Sequence, residues 1–339
     1  VSAKKRSLSG IKPTGQPHWG NYFGMILPAI ELAQSHEAFY FIADYHALTT
    51  VRDPETLRHD TYEILAALIA CGLDPATCVL WRQSDVPEVC ELTWLLSCVT
   101  GFGLIERAHA FKAVRDKGVE PNMGLVGYPL LMAADILLYD SDVVPVGKDQ
   151  VQHLEMTRDM AGYVNRQFFK TETTADEGRG LKQPDAFVRA ETAVVPGLDG
   201  QKMSKSYGNA IPMFMSKKKL RKRIMQIVTD STPLEEPKDP DTCNVFALYK
   251  LFTDEAQQAE LAAKYRAGGF GYGHAKLALF DVAEAYFGPR RERFNALMAD
   301  TAALDAILLD GATRARAVAR GVIGRVRAAT GLPASPVAS

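Results

Sequence analysis

Pro13-Thr14-Gly15-Gln16-Pro17-His18-Trp19-Gly20-Asn21 is the stretch on which the reading of this chain turns. Residues 8–11 form a short apolar-leaning run before it. That run stops at Lys12-Pro13-Thr14-Gly15, which reads as a strand entering a loop. From Asn21 to about Gln34 the pattern is helical, with a kink expected at Pro28. A glycine-bearing turn between a strand and a helix can hold phosphates with backbone N–H groups, and His18 and Asn21 add side-chain donors. Taken alone, His18-x-Gly20-Asn21 reads equally as an ordinary turn before a helix.

Working outward, Ala38-Phe39-Tyr40-Phe41-Ile42-Ala43 reads as a second buried strand. Cys78 to Gln83 reads as a third and Asp142 to Val146 as a further one. An amphipathic helix runs from Leu57 to Cys71 and ends at Gly72. Helical patterns follow from Glu88 to about Leu104 and from Leu130 to Tyr139. Strands alternating with helices imply right-handed crossovers and a parallel sheet, with ligands at the carboxyl ends of its strands. The first strand ends at the phosphate turn, and the 142–146 strand ends at Gly147-Lys148-Asp149-Gln150, so both motifs fall on one sheet edge. Gly178 to about Asp185 reads as a loop and Glu191 to Pro196 as a last strand. Lys202-Met203-Ser204-Lys205-Ser206 follows it. Two lysines around a small polar loop can neutralise a polyphosphate. With the turn at 13–21 they suggest an enzyme that splits ATP at the α-phosphate.

From Ser216 onward the pattern is helical, with breaks at 233–240 and 268–273. The expected fold is therefore α/β: a Rossmann-like, parallel-sheet nucleotide-binding domain over residues 1–206, followed by an all-α C-terminal domain over 207–289. Helices over 290–332 are expected to pack back on the first domain, and 333–339 to be a disordered tail.

The chain has 39 basic and 40 acidic residues, net charge −1, which excludes a general nucleic-acid binder by bulk charge and speaks against DNA. RNA contact must come from a local patch. The candidate is Lys217, Lys218, Lys219, Arg221, Lys222 and Arg223, which read equally as a solvated helix face. No apolar run is long enough to span a membrane. The basic start, Val1-Ser2-Ala3-Lys4-Lys5-Arg6, has no apolar core after it, so a cytoplasmic location is expected. Cys71, Cys78, Cys90, Cys98 and Cys243 form no C-x-x-C pair and no zinc or iron–sulfur spacing, so no protein-held metal is expected.

The chain resembles the bacterial tryptophanyl-tRNA synthetases, class I aminoacyl-tRNA synthetases, from about Ser9 to about Leu332. The matching stretches include Ser9–Gly15, Ala43–Thr49, Tyr128–Leu137, Val144–Gln150, Lys202–Ser206 and Val228–Ser231. Lys148 stands where a carboxylate is common in relatives. The resemblance implies activation of L-tryptophan with ATP, then transfer to the 3′ end of tRNA(Trp). It also implies a homodimer formed through the nucleotide-binding domain, tRNA anticodon binding by 207–289, and Mg2+ carried on the β- and γ-phosphates.

Amino-acid activation needs positioning and charge stabilisation rather than covalent help. His18 and Asn21 suit the phosphate oxygens, and Gly20 would let the nucleotide approach the backbone. Lys202 and Lys205 would neutralise the pyrophosphate, with Met203 and Ser204 shaping a mobile loop and Ser206 completing the ATP-binding motif. The resemblance adds Lys12, Pro13 and Thr14 to the ATP site. It puts Gly147 and Asp149 beside the ribose, with Lys148 between them in the same nucleotide-binding stretch, and Val194 near the adenine. Asp149 also reads as an N-cap.

Asp135 is one carboxylate in an almost wholly apolar segment. Burial of such a charge is costly without a partner, and the indole N–H is a donor with no acceptor capacity. Asp135 is thus the expected acceptor for tryptophan, or else an aspartate satisfied by backbone or a lysine. Met132 is a soft wall. Tyr128, Gln150 and His46 would hold the substrate's ammonium and carboxylate, with His46 reading equally as a structural histidine. The rivals are a tyrosyl-tRNA synthetase, a small-molecule nucleotidyltransferase and a non-catalytic paralogue that binds RNA or a partner enzyme.

Overall fold

In the computed structural model, residues 4–107, 122–147, 150–171, 180–187 and 195–334 are described. β1 (Arg6–Ile11), β2 (Glu37–Ile42), β3 (Val79–Arg82), β4 (Val143–Pro145) and β5 (Asp185–Phe187) form one sheet in the order β3-β2-β1-β4-β5. Every neighbouring pair is parallel. Strand geometry divides each strand between two cores. Ala38, Tyr40 and Ile42 of β2 join the cluster on one face, and Phe39 and Phe41 join the other. Such double burial is what a parallel sheet covered by crossover helices demands.

The turn after β1 leads into α1 (Trp19–Asn21), a π-helix over Tyr22–Ile26 and α2 (Leu27–Ser35). The expected single helix kinked at Pro28 is therefore corrected. The Leu27 N–H reaches back to the Tyr22 carbonyl, so the irregularity is a π segment. Pro28 is the second residue of α2, directly after the π segment, so the gap its missing N–H leaves in the helical ladder falls at that junction.

α3 (Asp44–Ala47) follows β2, and α4 (Pro54–Cys71), capped by Asp53, crosses to β3. The helix expected from Glu88 to Leu104 is two, α5 (Glu88–Ser97) and α6 (Phe102–Glu106), because Gly101 is extended and caps the second. α7 (Met123–Leu137) starts earlier than expected, since Asn122 caps it and Pro129 is carried inside. α8 (Val151–Val164) follows β4. β5 begins at Asp185, where a loop was expected to end. The strand expected over Glu191–Pro196 lies mostly outside the described residues.

After the lysine loop the chain is helical: α9 (Lys217–Met225), α10 (Asn244–Tyr249), α11 (Glu255–Ala267), α12 (Tyr272–Met298) and α13 (Thr301–Thr330). The fold is thus Rossmann-like with a helical C-terminal region. The two parts share a core, for Trp19 and Tyr22 pack on Phe287 at ring-centroid distances of 5.9 and 5.2 Å. The boundary expected at 289/290 falls inside α12, which continues through Pro289. α13 returns to the edge strand: a Cβ on Gly311 would lie 1.8 Å from the Leu80 carbonyl oxygen. Arg314 donates to the carbonyls of Pro75 and Cys78 at 3.0 and 3.2 Å. Of the tail expected at 333–339, residues 335–339 lie outside the described ones. Among the described residues no helix is long and apolar enough to cross a membrane.

Candidate active site

The phosphate turn leaves β1 at the carboxyl end of the sheet. His18 caps α1: its Nδ1 accepts from the Asn21 N–H at 3.3 Å, and Asn21 Oδ1 accepts from the His18 N–H at 3.1 Å. Burial, aided by the charge of Lys205, pulls the His18 pKa down to about 4. The imidazole is therefore neutral at pH 7. With Nδ1 accepting, its proton sits on Nε2 and is available to donate. Lys12 holds its Nζ 3.1 Å from the hydroxyls of both Thr49 and Thr50, and burial lowers its pKa.

The lysine loop is the end of a hairpin. Pro196 and Lys202 form an antiparallel bridge, and the Met203 N–H donates to Val195 O at 2.9 Å. Buried Asn209 staples the loop, accepting from the Ser204 N–H at 2.8 Å and donating to Asp199 at 2.8 Å and to the Lys202 carbonyl at 3.2 Å. Backbone bonds then tie this segment to the turn. The Trp19 N–H donates to Ile211 O, and the Met213 N–H to Pro17 O, both at 3.0 Å. Met203 is buried rather than free, its Sδ accepting from the Gly20 N–H at 3.3 Å. A Cβ on Gly20 would lie 2.9 Å from the His18 ring and 3.3 Å from the Met203 Cβ. Gly20 is thus needed for the turn and loop to meet, a role not read from the sequence.

At the other part of the cavity, Asp135 is 2% exposed. Gln83 Nε2 lies 2.8 Å from each of its oxygens and His46 Nε2 lies 2.9 Å from Oδ2. Burial pushes the Asp135 pKa up, while these two side chains oppose the rise. A carboxylate has about four lone-pair sites, so these contacts leave room for one more donor. His46 thereby takes a place beside Asp135. The Tyr128 hydroxyl meets His153 Nε2, and burial pushes its pKa up to about 12.

One cavity of about 1360 Å³ is lined by Lys12, His18, Gly20, Asn21, His46, Tyr128, Met132, Asp135, Gly147, Gln150, Lys202, Met203 and Ser204. Pro13, Thr14, Lys205 and Ser206 do not line it. Lys148, Asp149 and Val194 lie outside the described residues. Sequence reasoning missed Gln83 and His153, whose partners Asp135 and Tyr128 are remote in sequence, and Asn209, whose partners lie within the lysine loop itself. Gln83 ends the run Cys78–Gln83 that reads as a strand, and a polar residue at that carboxyl end, the ligand side of a parallel sheet, is the signal that would have drawn attention to it.

The family model described as tRNA synthetases class I (W and Y) matches residues 2–288. The tryptophan–tRNA ligase of Rhodopirellula baltica is 53% identical over 327 residues, 96% of this chain and 99% of that protein. That of Fusobacterium nucleatum is 50% identical over 328 residues, 97% and 98% of the two chains. A crystal structure of the tryptophanyl-tRNA synthetase from Campylobacter jejuni complexed with ADP and tryptophan superposes with a TM-score of 0.90 at 47% identity. It covers 96% of this chain and 100% of that one.

Proposed function

This chain belongs to the class I tRNA synthetases (W and Y), and we infer that it activates L-tryptophan with ATP to tryptophanyl-adenylate and pyrophosphate, then transfers the tryptophan to the 3′ end of tRNA(Trp). The observation that carries this reading is buried Asp135, held by His46 and Gln83 in the wall of a cavity that also presents Lys12, His18, Asn21 and Lys202. The indole N–H supplies the donor that Asp135 can still accept, with Met132 as an apolar wall and Tyr128 and Gln150 toward the ammonium and carboxylate.

In the first step a carboxylate oxygen of tryptophan attacks the α-phosphorus and the bond to pyrophosphate breaks. The neutral His18 Nε2–H and the Asn21 amide donate to phosphate oxygens without adding or removing a proton. Lys12 and Lys202 meet the growing negative charge. In the second step the terminal ribose hydroxyl of the tRNA attacks the activated carbonyl and AMP departs. Gly147 borders the cavity where the ribose would lie, with Lys148, Asp149 and Val194 assigned by family pattern to the nucleoside.

Asp135 is the only carboxylate among the described lining residues, and it is engaged by His46 and Gln83. The remaining polar lining suits phosphate rather than a metal, so Mg2+ fits here as an ion carried on the β- and γ-phosphates. Bound there, it neutralises phosphate charge.

For the tRNA, Lys217, Lys218, Arg221 and Lys222 of α9 rim a groove of about 650 Å³ over Met225 and Phe280, a surface suited to the RNA backbone. The proposed division of labour is a catalytic part up to residue 206, tRNA anticodon binding by the helices of 207–289, and helices of 290–332 that pack back on the catalytic part. A cytoplasmic location is part of this reading, since ATP, tryptophan and tRNA are all present there. A homodimer is supported by apolar side chains left open on neighbouring helices: Trp94 is 70%, Phe102 60% and Met123 80% exposed.

ATP–pyrophosphate exchange with tryptophan and with tyrosine tests the substrate, and charging of tRNA(Trp) tests the transfer. Exchange that depends on tyrosine, or none with either, overturns the reading.

A further inference from the structure

The two lysines of the loop are not equivalent. Lys202 lines the cavity. Lys205 instead donates from Nζ to the Thr14 carbonyl at 2.7 Å, on the turn itself. Gly15, at φ +81°, separates that ammonium from α4. A Cβ there would lie 3.6 Å from Lys205 Nζ and 3.8 and 3.9 Å from the two carboxylate oxygens of Asp60. Glu63 sits one helical turn further along α4. Asp60 is 8% exposed and Glu63 9%. His59 is the other basic group at this place, 3.6 Å from Asp60 and 3.9 Å from Glu63, and its side chain is largely in solvent.

Carboxylates beside a turn that receives phosphates would repel the ligand if they faced it. Neither Asp60 nor Glu63 lines the cavity, however. They face Lys205. Burial lowers the Lys205 pKa, and Asp60 and Glu63 oppose that fall. Burial raises the Glu63 pKa, and His59 and Lys205 oppose that rise.

We propose that Asp60 and Glu63 are positioning residues that hold Lys205 at the Thr14 carbonyl until phosphates draw it away. This rests on the reading of the cavity as an ATP site. The carboxylate pair competes with the ground-state phosphates for one ammonium. As charge builds on the departing pyrophosphate, the phosphates win that competition. The pair thus weakens ATP binding while leaving the lysine free to act in the transition state.

The test is equilibrium binding of ATP, with and without Mg2+, to Asp60→Asn, Glu63→Gln and the double variant, each with Lys205 and with Lys205→Met. Thermal unfolding checks that each variant is folded, and Glu63→Gln carries the test alone if Asp60→Asn does not fold. With Lys205 present, ATP affinity is expected to rise roughly twofold to fivefold, with KM for ATP falling and kcat not rising. With Lys205→Met the same changes should leave ATP affinity unaltered. Equal gains in both backgrounds would mean that the carboxylates act on the phosphates directly, which overturns the proposal. A loss of affinity seen only with Mg2+ would make them metal ligands and overturns it too, as does no change in either background. A wild-type chain that binds no ATP removes the functional reading together with this proposal, whereas ATP binding with equal shifts removes this proposal alone.

Discussion

The Gly20 amide donates to the Met203 Sδ at 3.3 Å, so the turn after β1 and the loop carrying both lysines share a hydrogen bond across most of the sheet domain's sequence. No side chain separates them. Gly20→Ala should force the His18 ring and Met203 apart, at a cost of about 1–3 kcal/mol in overpacking. The expected result is slower adenylate formation with tryptophan Kd unchanged, read by single-turnover kinetics and fluorescence titration. A wild-type rate would show that the contact does not align the two segments.

Lys202 lines the cavity, and in the proposed mechanism it meets charge that is greatest in the transition state. Lys202→Ala should lower kcat for adenylate formation by roughly 10²–10³ and leave tryptophan affinity nearly intact. Pre-steady-state pyrophosphate release measures the first quantity and equilibrium dialysis the second.

Asp135→Asn keeps the size and one acceptor oxygen but loses the charge. Charge-assisted hydrogen bonds contribute about 1.5–3 kcal/mol, so kcat/KM for tryptophan should fall roughly 10- to 150-fold. ATP affinity serves as the control and should hardly move. If ATP binding collapses as well, Asp135 is holding α7 in place rather than reading the substrate.

His18 makes stability depend on pH. Its folded-state pKa, about 4, lies below the ordinary 6.5, so between these values the unfolded chain binds the extra proton. The contribution is fully present above pH 6.5 and is lost as pH falls through about 4, roughly 3 kcal/mol in all. His18→Asn lacks this dependence. Urea unfolding at pH 7.5 and pH 4.5 should therefore show the wild-type chain losing more stability than the variant. Equal losses would rule out a buried, neutral His18.

Trp94 stands 70% exposed on α5, close along the chain to Phe102. Trp94→Glu should convert a dimer into a species of the chain mass, 37.2 kDa, in sedimentation at micromolar concentration. A wild-type protein that already sediments at that mass would argue that this patch serves something other than self-association.

How far the sequence is readable follows from how local each signal is. β2 is legible because its apolar run has turn residues at both ends, and the observed strand, Glu37–Ile42, differs from the reading by one residue at each end. β5 is not, because Asp185–Phe187 is three exposed residues whose strand character comes from pairing with β4. The π segment at Tyr22–Ile26 leaves no sequence mark beyond Pro28, which suggested a kink instead. At the candidate site, motif residues such as His18, Lys202 and Asp135 can be picked out by type and spacing. Gln83 and Asn209 cannot, since an amide becomes informative only when its partners are known. Lys205 is the reverse case: its spacing matches Lys202, yet its contacts point it at Thr14.

Gly311 carries a consequence for synthesis. The backbone of β3 at Leu80 is covered by a helix that starts only at Thr301. A nascent chain can pair β1, β2 and β3 early, but Leu80 then waits, open on its outer side, while more than half of the polypeptide is still being made. An uncovered strand edge is a template for another chain. On the ribosome the hazard lasts until α13 emerges, and any side chain larger than glycine at 311 would prolong it by keeping that helix from closing.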